Sequence, residues 1–555
     1  MPKSRLSKIA ALLILGFSVL SSGRPQTQPR PPQAPPAPQP PTQADLLRGG
    51  YGPFRANNDL LSYDLDIRVD PDKKWIGGKN TVRFKMLRDD TRIQLDLTAG
   101  LNVDKIVSGG KELKYIREYD AVFVDFPRIL NKGEVVALDF YYSGNPSETV
   151  RFGGISFRKD TSGHPWVTTA CQGPGAMVWW PNKEQQRDEV ENMTLRVAIP
   201  NGLVDVSNGR LAGKTDLGDG YTRWDWAIHY PINNYCVALN IGNYAHFDDK
   251  LGDLTIDYYC LPENLEKAKR QFPQARTMLE CYQKYFGSYP FPKDGYKLIE
   301  VPYAGMEHQT AVAYGNHFAN GYLERDWTGV GVSLKFDFII VHESAHEWFG
   351  NSITAADVCD EWIHEGWGTY AEAVYVEHMF GREDALKYVN GYKSKVRNRQ
   401  PIIGPPGINY PAPQDMYFKG ALFLNTLRSV IDDDARWWAL VRGFYGRFKY
   451  TTISTDDVVK YFSETSGLNL APIFDQYLRN LEIPALELKF ADGGGRVDYR
   501  WKADVKGFAM PVKVGVPGRW KVIRPTTEWQ TMTTDLKKDD FQAATDLYYV
   551  NVIKN

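Results

Sequence analysis

The period of the apolar residues changes twice along this chain, and that change limits its architecture more than any other feature. From Tyr63 to about Tyr259 apolar and polar side chains alternate: Tyr63, Leu65, Ile67, Val69; Val82, Phe84, Met86; Ile93, Leu95, Leu97; Val122, Val124, Phe126. A period of two, broken by turns such as Gly77-Gly78 and Gly109-Gly110, describes half-buried antiparallel strands. After Pro262 the spacing becomes three or four, at Leu265, Ala268, Phe272, Ala275, Leu279, Tyr282 and Phe286, and stops at Gly287. That pattern predicts a helix, kinked or split at Pro273. Further helical patterns lie around 334–349, 363–380, 416–431, 436–446 and 455–464. Beyond Pro484 alternation returns, with Leu486, Leu488, Phe490 and then Val512, Val514, Val516. Strands, then helices, then strands imply a multidomain α+β fold rather than one mixed sheet. The expected parts are an N-terminal antiparallel β-domain over 45–260, a helix-rich domain over 261–480 and a small C-terminal β-sandwich-like domain over 481–555.

Two segments precede the folded part. Residues 1–23 carry Lys3, Arg5 and Lys8, an apolar run from Ile9 to Leu20, and then Ser21, Ser22 and Gly23. This order is that of a secretory signal peptide, so a secreted or periplasmic protein is expected. About twelve apolar positions are too few to cross about 30 Å of hydrocarbon. An uncleaved anchor is therefore the weaker reading, and no stable membrane insertion is expected after cleavage. Residues 24–44 form a proline-rich linker, with nine prolines and no large apolar side chain between 24 and 43. Such a stretch cannot bury enough surface to offset its ordering entropy.

With 43% apolar and 24% charged residues the chain is of globular composition. Sixty-six basic residues against 67 acidic ones leave a net charge of −1, and no nucleic-acid partner is expected on electrostatic grounds. Five scattered cysteines without a CxxC pair build neither a disulfide framework nor a thiolate zinc site. Neither composition nor charge bears on the number of copies in an assembly.

Six of the nine histidines fall between His308 and His378, and two of them form His342-Glu343-Ser344-Ala345-His346. On a helix, positions i and i+4 share one face a turn apart, so both imidazoles can address one ion. Leu334, Phe338, Val341, Ala345 and Phe349 are expected to bury the neighbouring stripe, with Gly350 ending the helix. Glu343 then projects beside the metal, where a carboxylate can take a proton from bound water. A catalytic zinc takes three protein ligands and leaves one position open. After His346 and 18 intervening residues comes Glu365, far enough for the helix to end, a turn through Asn351 to Asp357, and a second helix to return a carboxylate. His364 is the alternative ligand; adjacent helical residues point about 100° apart, so only one of the pair can face the ion, and spacing favours Glu365. Glu372 and Thr369, beyond Glu365 on the same helix, are candidate outer-shell acceptors for a ligating histidine, although Glu372 also reads as a surface carboxylate. Two imidazoles and a carboxylate favour zinc, one ion per chain, over cobalt or manganese.

The stretch HESAHEWFGNSITAADVCDEWIHEGWGTYAE resembles the HExxHxWxGN and WLNEGFAxYxE signatures of the gluzincin aminopeptidases, the family of aminopeptidase N and the leukotriene epoxide hydrolase. The resemblance runs from about Tyr63 to the end of the chain and is strongest between Pro290 and Gly420. It implies a thermolysin-like catalytic domain at the centre. VPYAGMEHQ, residues 301–309, is similar to the family's GxMEN, aligning Ala304, Gly305, Met306 and Glu307 with its first four positions. By that resemblance Glu307 holds the substrate's free amino group, with Gly305 and Met306 beside it. His308 stands where the family has asparagine. Thr169-Ala170-Cys171-Gln172-Gly173 looks like the family's glutamine segment, which assigns Gln172 to the substrate's amino end. DMYFKGALFL, residues 415–424, resembles YxKG and places Tyr417 over the metal as a donor to the developing oxyanion. Tyr303 and Tyr314, near the glutamate loop, either line the first side-chain pocket or pack in the core. The family's long C-terminal helical array is not expected, because only about 70 residues follow Pro484.

The resulting expectation is a zinc-dependent aminopeptidase acting on peptides with a free N-terminus. A thermolysin-like endopeptidase is the rival within enzymes, and a non-catalytic peptide-binding scaffold of the same fold the rival outside them. Epoxide hydrolase activity is neither demanded nor forbidden.

Overall fold

The computed structural model describes residues 40–148, 154–409, 412–491 and 495–555. The expected signal peptide and most of the linker lie outside them. The first described helix, Gln43–Gly49, starts two residues before the expected start of the β-domain at 45, and its N-terminus is capped reciprocally by Thr42 and Asp45.

The alternating segments form an eight-stranded sheet in the order Arg210–Asp216, Tyr221–Ile228, Asn192–Pro200, Asn58–Asp70, Trp75–Met86, Val135–Gly144, Asn102–Ser108, Lys111–Glu112. All neighbours are antiparallel except Asn58–Asp70 against Asn192–Pro200, which run parallel with Leu65 beside Leu195. Tyr63, Leu65, Ile67 and Val69 point to one face and are buried there, as the period of two requires. A four-stranded sheet includes Pro165–Ala170, which delivers Gln172 at its end.

The expected boundary at 260 falls inside a five-stranded sheet. Ala245–Leu251 and Leu254–Cys260 continue through Tyr296–Glu300 and Val312–Tyr314 to the short edge strand Gly305–Met306. The parallel pairing of Leu254–Cys260 with Tyr296–Glu300 spans the predicted helix, which Pro273 splits into Leu265–Gln271 and Gln274–Tyr285. A parallel pair needs such a crossover, and alternation alone carries no information about which strand is the neighbour.

The central helices are Phe338–Ala345, Trp362–Phe380, Arg382–Gly391, Asp415–Ile431, Asp434–Phe448, Thr455–Ser466 and Ala471–Leu478. Two expectations are corrected here. Leu334 lies on a single 3-10 turn before the motif helix and is 48% exposed rather than part of the buried stripe. The segment expected as a plain turn after Gly350 contains the strand Ile353–Ala355, paired in parallel with Thr451–Ile453. That partner lies about a hundred residues further along, so no local pattern announces it.

The C-terminal strands make a four-stranded sheet and a three-stranded sheet. Leu486, Leu488, Trp501, Val512 and Val514 join the same apolar core as the central helices. Hydrogen bonds from Tyr477 to the Tyr549 carbonyl (2.7 Å) and from Tyr548 to the Ser429 carbonyl (3.0 Å) fasten this part to the helices. All five cysteines are unpaired. No helix among the described residues is long and apolar enough to cross a membrane.

Candidate metal centre and substrate cavity

The motif helix Phe338–Ala345 starts at Asp337, whose carboxylate caps the amides of Ile339 and Ile340, and every residue in it is buried. It ends sooner than the sequence suggests. His346 is the C-cap, and from Glu347 to Phe349 the winding tightens toward 3-10 geometry. Because His346 keeps helical dihedrals (φ −66, ψ −17), its side chain remains on the face of His342. Glu365 comes from the first turn of Trp362–Phe380.

These residues meet at one point. The Nε2 atoms of His342 and His346 are 3.4 Å apart, and each lies 3.5 Å from Glu365 Oε2. A tetrahedral ion with ligands at about 2.0–2.1 Å holds them roughly 3.3–3.4 Å from one another, so the three atoms already outline one face of such a shell. Glu365 Oε2 is buried and has no hydrogen-bond donor, an arrangement that is costly without a cation. Among the described residues this is the cluster of histidine and carboxylate groups able to hold a metal. His364 turns away: its Nε2 accepts from the Ala355 amide at 2.7 Å, which explains why Glu365 and not its neighbour faces the cluster.

The outer contacts fix the donor atoms. Glu372, fully buried, accepts from His342 Nδ1 at 2.7 Å, leaving Nε2 free toward the cluster. Its other oxygen accepts from the hydroxyls of Tyr388 (2.6 Å) and Tyr392. His346 Nδ1 donates to the Phe349 carbonyl at 3.0 Å. Gln172 donates its amide to Glu365 Oε1 at 2.7 Å. Burial opposes charge on Glu365, but the two histidines and Gln172 outweigh it and hold the carboxyl down at about 2. Thr369 lines the cavity with its hydroxyl unpartnered, and makes no hydrogen bond to a ligating histidine.

A cavity of about 530 Å³ opens over the cluster. Glu343, Glu307, Gln172, Gly305, Met306 and Tyr417 all border it. Burial, together with Glu365 and Glu372, raises the Glu343 carboxyl above its usual range, against the pull of His342. Gly305 makes room for it: a Cβ there would lie 2.7 Å from Glu343 Oε1. Glu307 is likewise raised, by burial and by the Glu365 and Glu343 carboxylates, and receives the Tyr235 hydroxyl at 3.2 Å. Asn351 donates to the Glu307 carbonyl (2.9 Å) and to Glu347 Oε1 (3.0 Å), and that same Glu347 oxygen accepts from the Thr310 amide, so the glutamate loop is tied to the motif helix. The Tyr417 ring stacks 6.0 Å from that of His342. Burial holds its phenol well above the usual range, so it stays protonated and able to donate. The helix Asp415–Ile431 brings it there by crossing Trp362–Phe380 closely, where a Cβ on Gly420 would meet the Gly366 Cα at 3.0 Å.

One residue, Tyr303, lies away from the cavity it was expected to border, and the environment of His308 is now defined. Tyr303 is on the opposite side of the glutamate loop, its hydroxyl donated to the Thr169 carbonyl at 2.7 Å, and it does not border the cavity over the cluster. His308, fully buried, has neither ring nitrogen hydrogen-bonded, and burial lowers it to about 3, so it is a neutral packing group. Conversely Tyr235, Tyr388 and Tyr392, which touch the site's carboxylates, carry no sequence signal, since each acts across a long separation or from a helix with no motif.

Residues 270–477 match the sequence family described as Peptidase family M1 domain. The chain is 22% identical over 424 residues to a leucyl aminopeptidase of Saccharolobus solfataricus, an alignment covering 74% of this chain and 52% of that one. It is 24% identical over 266 residues to endoplasmic reticulum aminopeptidase 1 of Mus musculus, covering 46% and 28%. The chain thus spans about half the length of the archaeal relatives it matches. Its fold is similar to that of an M1 zinc metallopeptidase from Deinococcus radiodurans, a variant crystallised with a Tyr-Ser-Ala substrate, at a TM-score of 0.64 and 21% identity over 78% of this chain and 96% of that one.

Proposed function

We propose that this protein is a zinc-dependent aminopeptidase that removes the N-terminal residue from peptides, a reading supported by the match of residues 270–477 to the Peptidase family M1 domain. The observation that carries this reading is the face of three donor atoms, 3.4–3.5 Å apart, in one cavity with the uncompensated carboxylate of Glu307. Bound by His342, His346 and Glu365, zinc would supply the Lewis acid that polarises the scissile carbonyl and makes water acidic enough to attack.

The chain's own residues do the rest. Glu343 accepts the proton of the attacking water and passes it to the leaving amine, a role suited to a carboxyl whose proton affinity burial has raised. Tyr417 donates to the carbonyl oxygen as it gains charge. Glu307 pairs with the substrate's ammonium group, which offsets the cost of its own burial and rejects a blocked terminus. Gln172 steadies Glu365 from the strand side and borders the amino end. The relatives named aminopeptidases and the substrate-bound neighbour support peptides as the substrate class. The order of charged, apolar and small residues over 1–23, that of a secretory signal, supports export.

Aminoacyl and N-acetyl-aminoacyl chromogenic substrates, assayed with and without a chelator, test the proposal. Cleavage of the free-amine form alone, lost with the metal, is expected. Cleavage of the acetylated form would make it an endopeptidase. Glu343→Gln should keep zinc and lose turnover by several orders of magnitude; full activity in that variant would overturn the assignment.

A further inference from the structure

Behind the wall that Gln172 and Met416 share with the metal cavity lies a second cavity of about 480 Å³, within the range of small-ligand sites. Tyr235 lines it and donates its hydroxyl to Glu307, while Gln172 lines it and donates to Glu365. Under the aminopeptidase reading a substrate has its amine at Glu307 and its carbonyl at the metal. The first Cα is one bond from each, so its side chain leaves from between Tyr235 and Gln172, where this cavity opens. The leaving portion goes the other way, past Glu343 toward the aromatic wall of Trp327, Phe338 and Phe418.

The charged groups of the second cavity are mostly committed. Arg48 donates to the Gly173 carbonyl and sits against Glu184, whose carboxylate also accepts from the Met177 amide. Arg187 packs over the Tyr51 ring at 5.5 Å. Asp357 accepts from the amides of Cys359 (3.0 Å) and Gly407 (2.8 Å). Glu361 is different. It is 8% exposed, and the one hydrogen bond to its carboxylate among the described residues comes from the Gln186 amide at 3.2 Å. Among the described residues it has no ion-pair partner, although Arg48 and Arg187 line the same cavity. The Gln186 oxygen is buried too and has no donor. At the place where the first side chain arrives, the wall therefore offers a carboxylate served by a single amide donor and an amide oxygen with no donor, while Arg48 and Arg187 are engaged elsewhere in it.

We propose that Glu361 and Gln186 form a selectivity site for a cationic first residue, lysine or arginine, in the cavity beside Gln172 and Tyr235. An ammonium brings three donors and a guanidinium five, enough to serve both acceptors, and either neutralises the buried carboxylate. An apolar side chain of equal length leaves the Gln186 oxygen without a donor and the Glu361 charge without a counter-ion, which is the stronger basis of discrimination. This inference rests on the aminopeptidase reading.

The test compares lysyl, arginyl and norleucyl substrates on the zinc-loaded wild type and on Glu361→Gln, alongside calorimetric binding of free L-lysine and L-norleucine to both. In the wild type kcat/KM for the basic substrates should exceed that for norleucyl, and Glu361→Gln should reduce that ratio about 10- to 100-fold. A wild type that prefers norleucyl, or a ratio unchanged by the substitution, overturns the inference. If no aminoacyl substrate is turned over, the aminopeptidase reading fails, and binding decides the cavity alone. Preference for lysine that Glu361→Gln abolishes sustains the selectivity site; equal binding of the two amino acids overturns it.

Discussion

The tautomer of His342 offers a sharp test of how the metal site is built. Glu372 accepts three hydrogen bonds: from His342 Nδ1 at 2.7 Å on one oxygen, and from the Tyr388 and Tyr392 hydroxyls on the other. Glu372→Gln preserves shape and replaces one oxygen by an NH2 group. The two tyrosine donors hold the amide oxygen on their side, so the NH2 must face His342 Nδ1. Two donors cannot face each other, and the imidazole responds by moving its proton to Nε2, the atom 3.5 Å from Glu365. A protonated Nε2 has no lone pair for a metal. Loss of such an outer partner typically lowers metal affinity about 10- to 100-fold, or roughly 1.4–2.7 kcal/mol. Competition against a chromophoric chelator measures it, with circular dichroism to confirm the fold. The reasoning also predicts rescue. In Glu372→Gln/Tyr388→Phe/Tyr392→Phe no donor pins the amide, its oxygen can turn to Nδ1, and much of the affinity should return. A folded Glu372→Gln protein with wild-type zinc affinity, or a triple variant weaker than the single, would refute the tautomer argument.

Gly305→Ala should reduce kcat about 100-fold while leaving zinc content unchanged, because the new Cβ would sit 2.7 Å from Glu343 Oε1 and displace the carboxylate; metal analysis beside steady-state kinetics checks this. Far from the metal, Asp205 is fully buried among Trp226 and Ser207, and burial pushes its carboxyl up to about 7. The folded state then holds a proton that the unfolded state releases near pH 4, so this group's contribution is intact below about pH 4 and is lost as pH rises to about 7. Asp205→Asn should therefore stabilise the protein at pH 8 by up to roughly 4 kcal/mol and have little effect at pH 4. Equal shifts in Tm at both pH values would contradict that account.

The legible part of this molecule is the part whose physics is local. The change from period two to period three or four marks strands and helices because side-chain direction repeats with the backbone. The same periodicity brings His342 and His346 to one face even though the helix proper ends between them. The 18-residue gap to Glu365 works for a related reason: it is a distance along the chain that two short helices can close. Where the sequence offered His364 and Glu365 together, the fold decided, by giving His364 the Ala355 amide as a partner.

What the sequence by itself determined is the order of strands, helices and strands, and the identity of the atoms able to meet at the metal, since both follow from spacings of a few residues to a few turns. What only the tertiary structure decided are contacts between segments far apart in the chain. Gln172 reaches Glu365 across 193 residues. Tyr235 reaches Glu307 across 72, and the strand at 353–355 finds its partner at 451–453. The sheet that joins residues 245–260 to 296–314 erases a boundary that alternation alone suggested. Glu361 stands beside the metal motif as one more acidic residue in the sequence. Packing takes it out of most of the solvent and leaves it without an ion-pair partner among the described residues, and that environment, which no spacing encodes, gives the carboxylate its proposed use.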